Sequence, residues 1–147
     1  MKFGETGYIQ NAHRLPGKIA KSVKEIRSGQ HFHFNDDGEF EYADGTRPAY
    51  PTMNDRYAGP GYGDQGELTE GRDNVSRTGQ ITVLMGNFEV PTDQYDKDAT
   101  YKYGQKLTVK TPGILTPAGD TIDPTLICGV VTGIPEDDND YLRYSRS

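Results

Sequence analysis

The sequence has no tryptophan and one cysteine, Cys128, among 147 residues. A single thiol excludes an internal disulfide framework and leaves the redox compartment open. Cys128 lies in the apolar run TLICGVV, where a small buried hydrophobe is expected rather than a reactive thiol. No run of about 18 apolar residues occurs, so no membrane-spanning helix is expected. The leading MKFGETGYIQ lacks the apolar centre of a secretory signal. Positive charge is also scarce. The net charge is -6 with pI near 5.0, which argues against a general nucleic-acid-binding surface. Catalytic signatures are missing too: there is no G-x-S-x-G, Cys–His or H-E-x-x-H arrangement. Hydrophobic residues make up 33% of the chain and mean hydropathy is -0.80, both low for a compact globule.

What the chain does have is 18 Gly, 9 Pro and 10 Tyr, a composition of turns and β structure rather than helix. Its charge is unevenly spread. Residues 1–27 hold six Lys/Arg (Lys2, Arg14, Lys18, Lys21, Lys24, Arg27) against Glu5 and Glu25, a net of +4. Residues 28–74 hold three basic and ten acidic residues, a net of -7. A basic leading segment ahead of an acidic body suits steering toward an acidic partner surface. Core formers are uneven as well: residues 1–74 contain 10 Val, Ile, Leu or Phe, and residues 75–147 contain 17. The division predicts an extended, Gly/Pro/Tyr-rich N-terminal arm over 1–74 and a small β-barrel or sandwich over 75–147.

In the second half GQITVLMGNFEVPT predicts a strand at Gln80–Met85, a kink at Gly86-Asn87 and a strand at Phe88–Val90. QKLTVKT alternates Leu107 and Val109 with polar residues, a half-buried strand. PGILTP predicts a strand at Ile114–Thr116. The run TLICGVVTGI predicts one continuous central strand, and DYLRYSR, with Leu142 and Tyr144 on one face, closes the set.

The first half reads differently. IAKSVKEIR (Ile19–Arg27) fits a helical turn or a strand equally, with Ile19, Val23 and Ile26 on one side. QHFHFNDDGEFEYADG predicts a hairpin at 30–43, with His31 and His33 on one face and Phe32 and Phe34 on the other. From Thr46 to Arg72 there is almost nothing to bury, as in a strap ordered by lying on something else. A lone core of about 70 residues supplies only ~3–5 kcal/mol. With internal disulfides excluded and no strong metal site visible, assembly is the expected remedy.

Motifs with chemical meaning are weak here. GYGDQG (Gly61–Gly66) matches the dinucleotide spelling, but no apolar strand precedes it and no helix follows. HFH can begin a metal site, yet His13 is the only other histidine. Asp93, Asp96 and Asp98 suggest a calcium loop until Tyr101 and Leu107 occupy the places of its Gly and Glu. The sequon Asn74-Val75-Ser76 means little without a secretory route. No catalytic residue, cofactor or metal is assigned, and the chain is not expected to be an enzyme.

The C-terminal half carries one resemblance. The succession GNFEVPTDQYD, ATYKYGQKLTV, PGILTPAG, CGVVTGIP and YLRYSR, covering roughly residues 79–147, resembles head decoration (cement) proteins of tailed bacteriophages. The resemblance implies a small β-barrel on the outside of an icosahedral capsid, made in the host cytoplasm, joining neighbouring major capsid subunits as a dimer or trimer. It implies fold-defining turns at Thr92, Asp93 and Tyr95 and at Gly104, with Thr116-Pro117-Ala118 capping a strand and Val130–Ile134 in the core. It leaves residues 1–74 unexplained. Our reading makes them an arm contacting the capsid or neighbouring copies through Lys2, Tyr8, Arg14, Lys18, Lys21, Tyr50, Tyr57 and Tyr62. The expected partners are the major capsid protein and the chain itself, with no nucleic acid and no membrane. The alternatives are a tail, neck or capsid-fibre-base protein, or a glycan- or receptor-binding module with Tyr57, Tyr62, Tyr101 or Tyr103 as stacking platforms.

Overall fold

A computed structural model describes residues 8–9, 13–53, 56–57, 80–136 and 139–146. Within them the chain is built from strands, with one 3-10 turn at Pro124–Leu126 and no α-helix. The strands are β1 (Tyr8–Ile9), β2 (His13–Lys18), β3 (Glu25–Ile26), β4 (His31–Phe34), β5 (Phe40–Tyr42), β6 (Tyr50–Pro51) and β7 (Arg56–Tyr57). They continue with β8 (Gln80–Met85), β9 (Phe88–Thr92), β10 (Lys106–Lys110), β11 (Ile114–Pro117), β12 (Gly129–Gly133) and β13 (Leu142–Arg146). Six form an antiparallel sheet in the order β1-β9-β13-β12-β10-β11. The rest make a β2–β8 ribbon, a β3–β7 ribbon and a β5-β4-β6 sheet.

The protein is mainly β, as composition predicts, but no described sheet closes into the expected barrel. A barrel needs its two edge strands to meet in register. Here β1 supplies two residues, and the far side of β11 is already taken by a parallel bridge from Tyr95 to Leu115. The expected strands at 80–85, 88–90, 107–109 and 114–116 all form. The TLICGVVTGI run does not become one strand. Pro124 opens a 3-10 turn capped by the Asp123 side chain, and pairing starts only at Gly129. From there β12 lies beside β13 at the centre of the sheet.

Residues 19–27 contain no helix. Ile19 bridges Phe40, the chain turns at Lys21–Ser22, and β3 pairs with β7. Ile19, Val23 and Ile26 are all buried, reached by an extended–turn–extended path that also satisfies their spacing. The hairpin forms as expected, with Phe32 opposite Tyr42 and Phe34 opposite Phe40. Asn35 organises its turn, its side-chain oxygen accepting from the Asp37 and Glu39 N–H groups at 2.9 Å each.

The picture of residues 1–74 as an arm with nothing to enclose is corrected for its described part. Ile19, Val23, Ile26, Phe32 and Phe40 form a buried cluster closed by Ile81 and Val83 of β8. Ala43 and Ala49 join the other, larger cluster, which holds Leu84, Phe88, Val90, Leu107, Val109, Leu115, Val131, Leu142 and Tyr144. The core formers of the first half are few because the second half contributes part of their interior. The described piece of the Thr46–Arg72 strap is sewn down as well. The Thr52 N–H donates to the Gln30 carbonyl (2.9 Å) and the Met53 N–H to that of Thr82 (3.1 Å). The remainder of the strap, including GYGDQG, and the sequon at Asn74 fall outside the described residues.

β4 is the septum between the clusters. Phe32 points into the smaller one, while the His31 ring lies 6.0 Å from that of Tyr144 in the larger one. The β10–β11 turn, with its cis Thr111–Pro112 bond, is locked against β4: the His31 N–H donates to the Gly113 carbonyl at 2.8 Å. Gly113 has φ +78°, and a Cβ there would meet the His31 carbonyl oxygen at 2.2 Å. Gly104 has a similar φ, +80°, with nothing within 4 Å. Replacing Gly104 by Ala should therefore cost only the left-handed backbone, about 1–2 kcal/mol. Gly113→Ala should add a further ~1–3 kcal/mol of overpacking. Urea denaturation of the two variants measures the difference, and equal losses would mean the β4 contact is not tight.

Candidate interaction surface

The motif segment after β9 is polar in sequence and structural in space. Thr92 is buried, and its Oγ1 accepts from the Gln94 N–H at 3.0 Å, turning the chain out of the strand. Asp93 is exposed and accepts from the Gln94 side chain at 2.9 Å. The next residues run along the edge of β11. The Leu115 N–H donates to Gln94 O (2.9 Å) and the Asp96 N–H to Leu115 O (2.8 Å). That register drives Tyr95 inward, where its ring meets Tyr101 edge-on with centroids 5.6 Å apart. The Tyr95 hydroxyl donates to the Asp140 carbonyl and the Tyr101 hydroxyl to that of Asp96. Burial raises the pKa of both phenols, helped by Asp140 and Asp93 for Tyr95 and by Asp96 for Tyr101. They act as protonated donors.

The three aspartates do not converge. Asp96 is held by Lys110 Nζ at 2.7 Å, a contact that, with the Asp98 N–H, keeps its carboxyl below the usual range. Gly104 turns the chain back with its N–H on the Val131 carbonyl (2.9 Å). Thr92, Asp93, Tyr95 and Gly104 thus sit at turns and edge contacts of the larger cluster.

The residues expected to make contacts are spread over several elements. Arg14 and Lys18 are exposed on one face of β2, separated by Pro16, and Lys21 is exposed in the following turn. Lys18 makes a loose ion pair with Glu39 (3.7 Å). Tyr50 is half-buried beneath the Arg146 guanidinium, 5.0 Å from its ring centre, and Arg146 also donates to the Ala49 carbonyl (2.9 Å). Tyr8 and Tyr57 lie in β1 and β7, opposite Glu89 and Glu25. Lys2 and Tyr62 are outside the described residues. Of the stacking tyrosines, Tyr101 is buried at 7% exposure and cannot serve as a platform, whereas Tyr103 is 66% exposed.

His31 and His33 are buried together on β4. His33 Nε2 lies 2.8 Å from Glu41, and its Nδ1 is 3.6 Å from Asp44. Asp44 is drawn below the usual range chiefly by its hydrogen bond to the Thr46 hydroxyl. His31 Nε2 lies 3.5 Å from the Tyr144 hydroxyl. Burial, with Arg146 adding repulsion, lowers the His31 pKa from 6.5 to about 3. Among the described residues no group of three or more His, Cys, Asp or Glu is placed to hold a metal ion. Cys128 is buried, which pushes its thiol up to about 12.

Two features escaped sequence reasoning. Arg143 grips the Glu89 carboxylate through Nε (2.9 Å) and its terminal nitrogen, and the Thr132 hydroxyl adds a third donor at 3.0 Å. The outward alternation of Glu89 and Arg143 in their expected strands was the available signal. The Arg146 clasp on Ala49 and Tyr50 had none, because its partners lie 97 and 96 positions away in sequence. Beside Arg146 a depression of about 340 Å³ is lined by Pro124, Thr125, Ile127, Gly129, Val130 and Ser145. That is at the low end for a ligand pocket, and its walls mix polar and apolar groups. Compared with known proteins, the chain matches no family model, no curated protein and no solved structure.

If the motif segment is structural, its residues should separate by burial rather than by charge. Tyr95→Ala should lose about 3–5 kcal/mol, as large aromatic truncations in cores do. Asp93→Ala should stay within about 0.5 kcal/mol of wild type. Thermal and denaturant unfolding of both variants makes the comparison.

Proposed function

We propose that the protein is a virion structural protein that binds the outer surface of an icosahedral phage capsid and cements neighbouring major capsid subunits against internal DNA pressure. The observation that carries this reading is the ordered motif succession of the C-terminal half. Its segments supply Tyr95, Leu107, Val109, Leu115, Val131, Leu142 and Tyr144 to one buried cluster. A motif set used this way specifies a scaffold, and function then rests on what the scaffold displays. The finer architecture belongs to the same reading: the six-stranded sheet and the β5-β4-β6 sheet serve as two layers of a small sandwich.

What is displayed suits wide, shallow contact. Arg14, Lys21 and Lys24 are exposed cations with no partner among the described residues, on a chain of net charge -6. Such exposed cations favour an acidic protein surface. Many modest contacts repeated over a shell add up by avidity. The protein acts by binding, without turnover, as a dimer or trimer on the capsid exterior. Placement at the tail, neck or fibre base is the competing reading, and copy number separates them. Reconstruction of particles carrying the protein should show hundreds of copies on the shell. A dozen or fewer would refute the capsid reading. In a sedimentation assay with those capsids at about 0.1 M salt, combining Arg14→Glu with Lys21→Glu should weaken binding at least tenfold. The same pair should leave stability within about 0.5 kcal/mol. Unchanged binding would remove these cations from the contact surface.

A further inference from the structure

Two backbone hydrogen bonds cross the seam between the β5-β4-β6 sheet and the larger cluster, and a third inside the hairpin completes a ring. The His31 N–H donates to Gly113 O (2.8 Å), the Gly113 N–H to Ala43 O (3.0 Å), and the Ala43 N–H to His31 O (3.2 Å). The Gln30 side chain adds a donor to the Pro112 carbonyl. At this seam the His31 imidazole is 0% exposed, and among the described residues its Nδ1 has no hydrogen-bond partner. Among the described residues, the groups around it offer no compensating negative charge. From β13 come Tyr144, kept neutral by burial, and the Arg146 cation. Cys128, ahead of β12, is a protonated thiol. Along β4, His33 already engages Glu41 and approaches Asp44. From the β10 side, Lys110 is bound to Asp96. The Gly29 carbonyl favours the proton slightly but makes no hydrogen bond of normal geometry to Nδ1.

We propose that His31 is an acid-release catch: proton uptake by its imidazole opens the seam between the β5-β4-β6 sheet and the β10–β11 turn while the six-stranded sheet stays paired. A protonated ring there would be a dry cation beside a guanidinium, with the Gly29 backbone alone favouring the charge. Opening the seam hydrates the ring. The opening is local because Phe32, on the other face of β4, keeps its own cluster with Ile19, Val23, Ile26, Phe40, Ile81 and Val83. The sign follows from the two proton affinities. In the closed form the pKa is depressed to about 3, and in the open form it returns toward 6.5. The open form therefore binds more protons between these values. Closure is fully favoured above pH 6.5 and weakens as pH falls below it, about tenfold in the opening equilibrium for each unit. The device is independent of what the protein binds.

Amide hydrogen exchange on the full chain, corrected for intrinsic rates, tests it at about pH 7 and about pH 5.5. Protection of the His31 amide, whose hydrogen bond to Gly113 O crosses the seam, should fall about tenfold. That of Val131 and Tyr144 should change less than twofold. The neutral variant His31→Gln should lose the pH dependence at the seam. If that variant does not fold, the wild-type ring nitrogens report directly by NMR: the imidazole should take up its proton in step with seam opening. Unchanged seam protection, an equal fall at Val131 and Tyr144, or undiminished pH dependence in His31→Gln would each overturn the proposal.

Discussion

Burial of β4 on both faces is the constraint on which the described structure depends. A strand with two covered faces ordinarily reads as continuous hydrophobics, yet β4 is HFHF, with histidines turned to the larger cluster. Phe32 and Phe40 supply the bulk of the smaller cluster, so the hairpin is as much a core element as any strand of the six-stranded sheet. The histidine side is held by backbone complementarity instead. Gly113 approaches β4 so closely that no side chain fits, and its N–H and carbonyl close the ring through Ala43 and His31. The larger cluster thereby gains a lid made of polar side chains and main chain. Such a lid is stable only while its polar atoms are neutral or paired.

The same arrangement explains which parts of the fold were legible in the sequence. Strands β10 and β13 announce themselves by alternation, because each has one wetter face and one dry one: Lys106, Lys110 and Thr108 against Leu107 and Val109 is the clearest case. The hairpin is legible because its aromatics alternate with other residues on either side of a turn, and Asn35 adds turn chemistry. The joint core was not. Counting Val, Ile, Leu and Phe on either side of residue 74 treats each half as its own reservoir, whereas Ile81 and Val83 of β8 complete a cluster whose other members come from residues 19–40. Small and polar residues, Ala43, Ala49, Thr52 and the two histidines, fill space that such a count assigns to nothing. Composition sets how much can be buried, not which partner buries it.

The candidate site was half legible. Thr92, Asp93 and Gly104 stand at turns, where their residue types have a mechanism. Tyr95 and Tyr101 lie inside a run of aspartates and lysines, and a local reading makes them solvent-facing. They are buried because the segment crosses the edge of β11 and its alternation is taken up by a sheet that is remote in sequence. A tyrosine suits that place, since its ring fills the cluster while its hydroxyl satisfies a backbone carbonyl at the rim. Only Tyr103 of this run keeps its ring in water.

Exposed strand edges bear on how such a molecule meets a partner. An open edge invites strand addition from any chain, and charged residues with proline blunt it. β2, the outer strand of its ribbon, carries Arg14, Pro16 and Lys18 on its wet face, and Pro16 has no N–H to offer. The edge of β11 is occupied from within by Gln94–Asp96. Neither edge is built for pairing with a further strand. Association through these surfaces must therefore run through side chains: the cations of β2 and the following turn, and the Tyr103 ring. Contacts of that kind are individually weak, salt-sensitive and reversible. They acquire strength only when many copies engage a repeating surface at once.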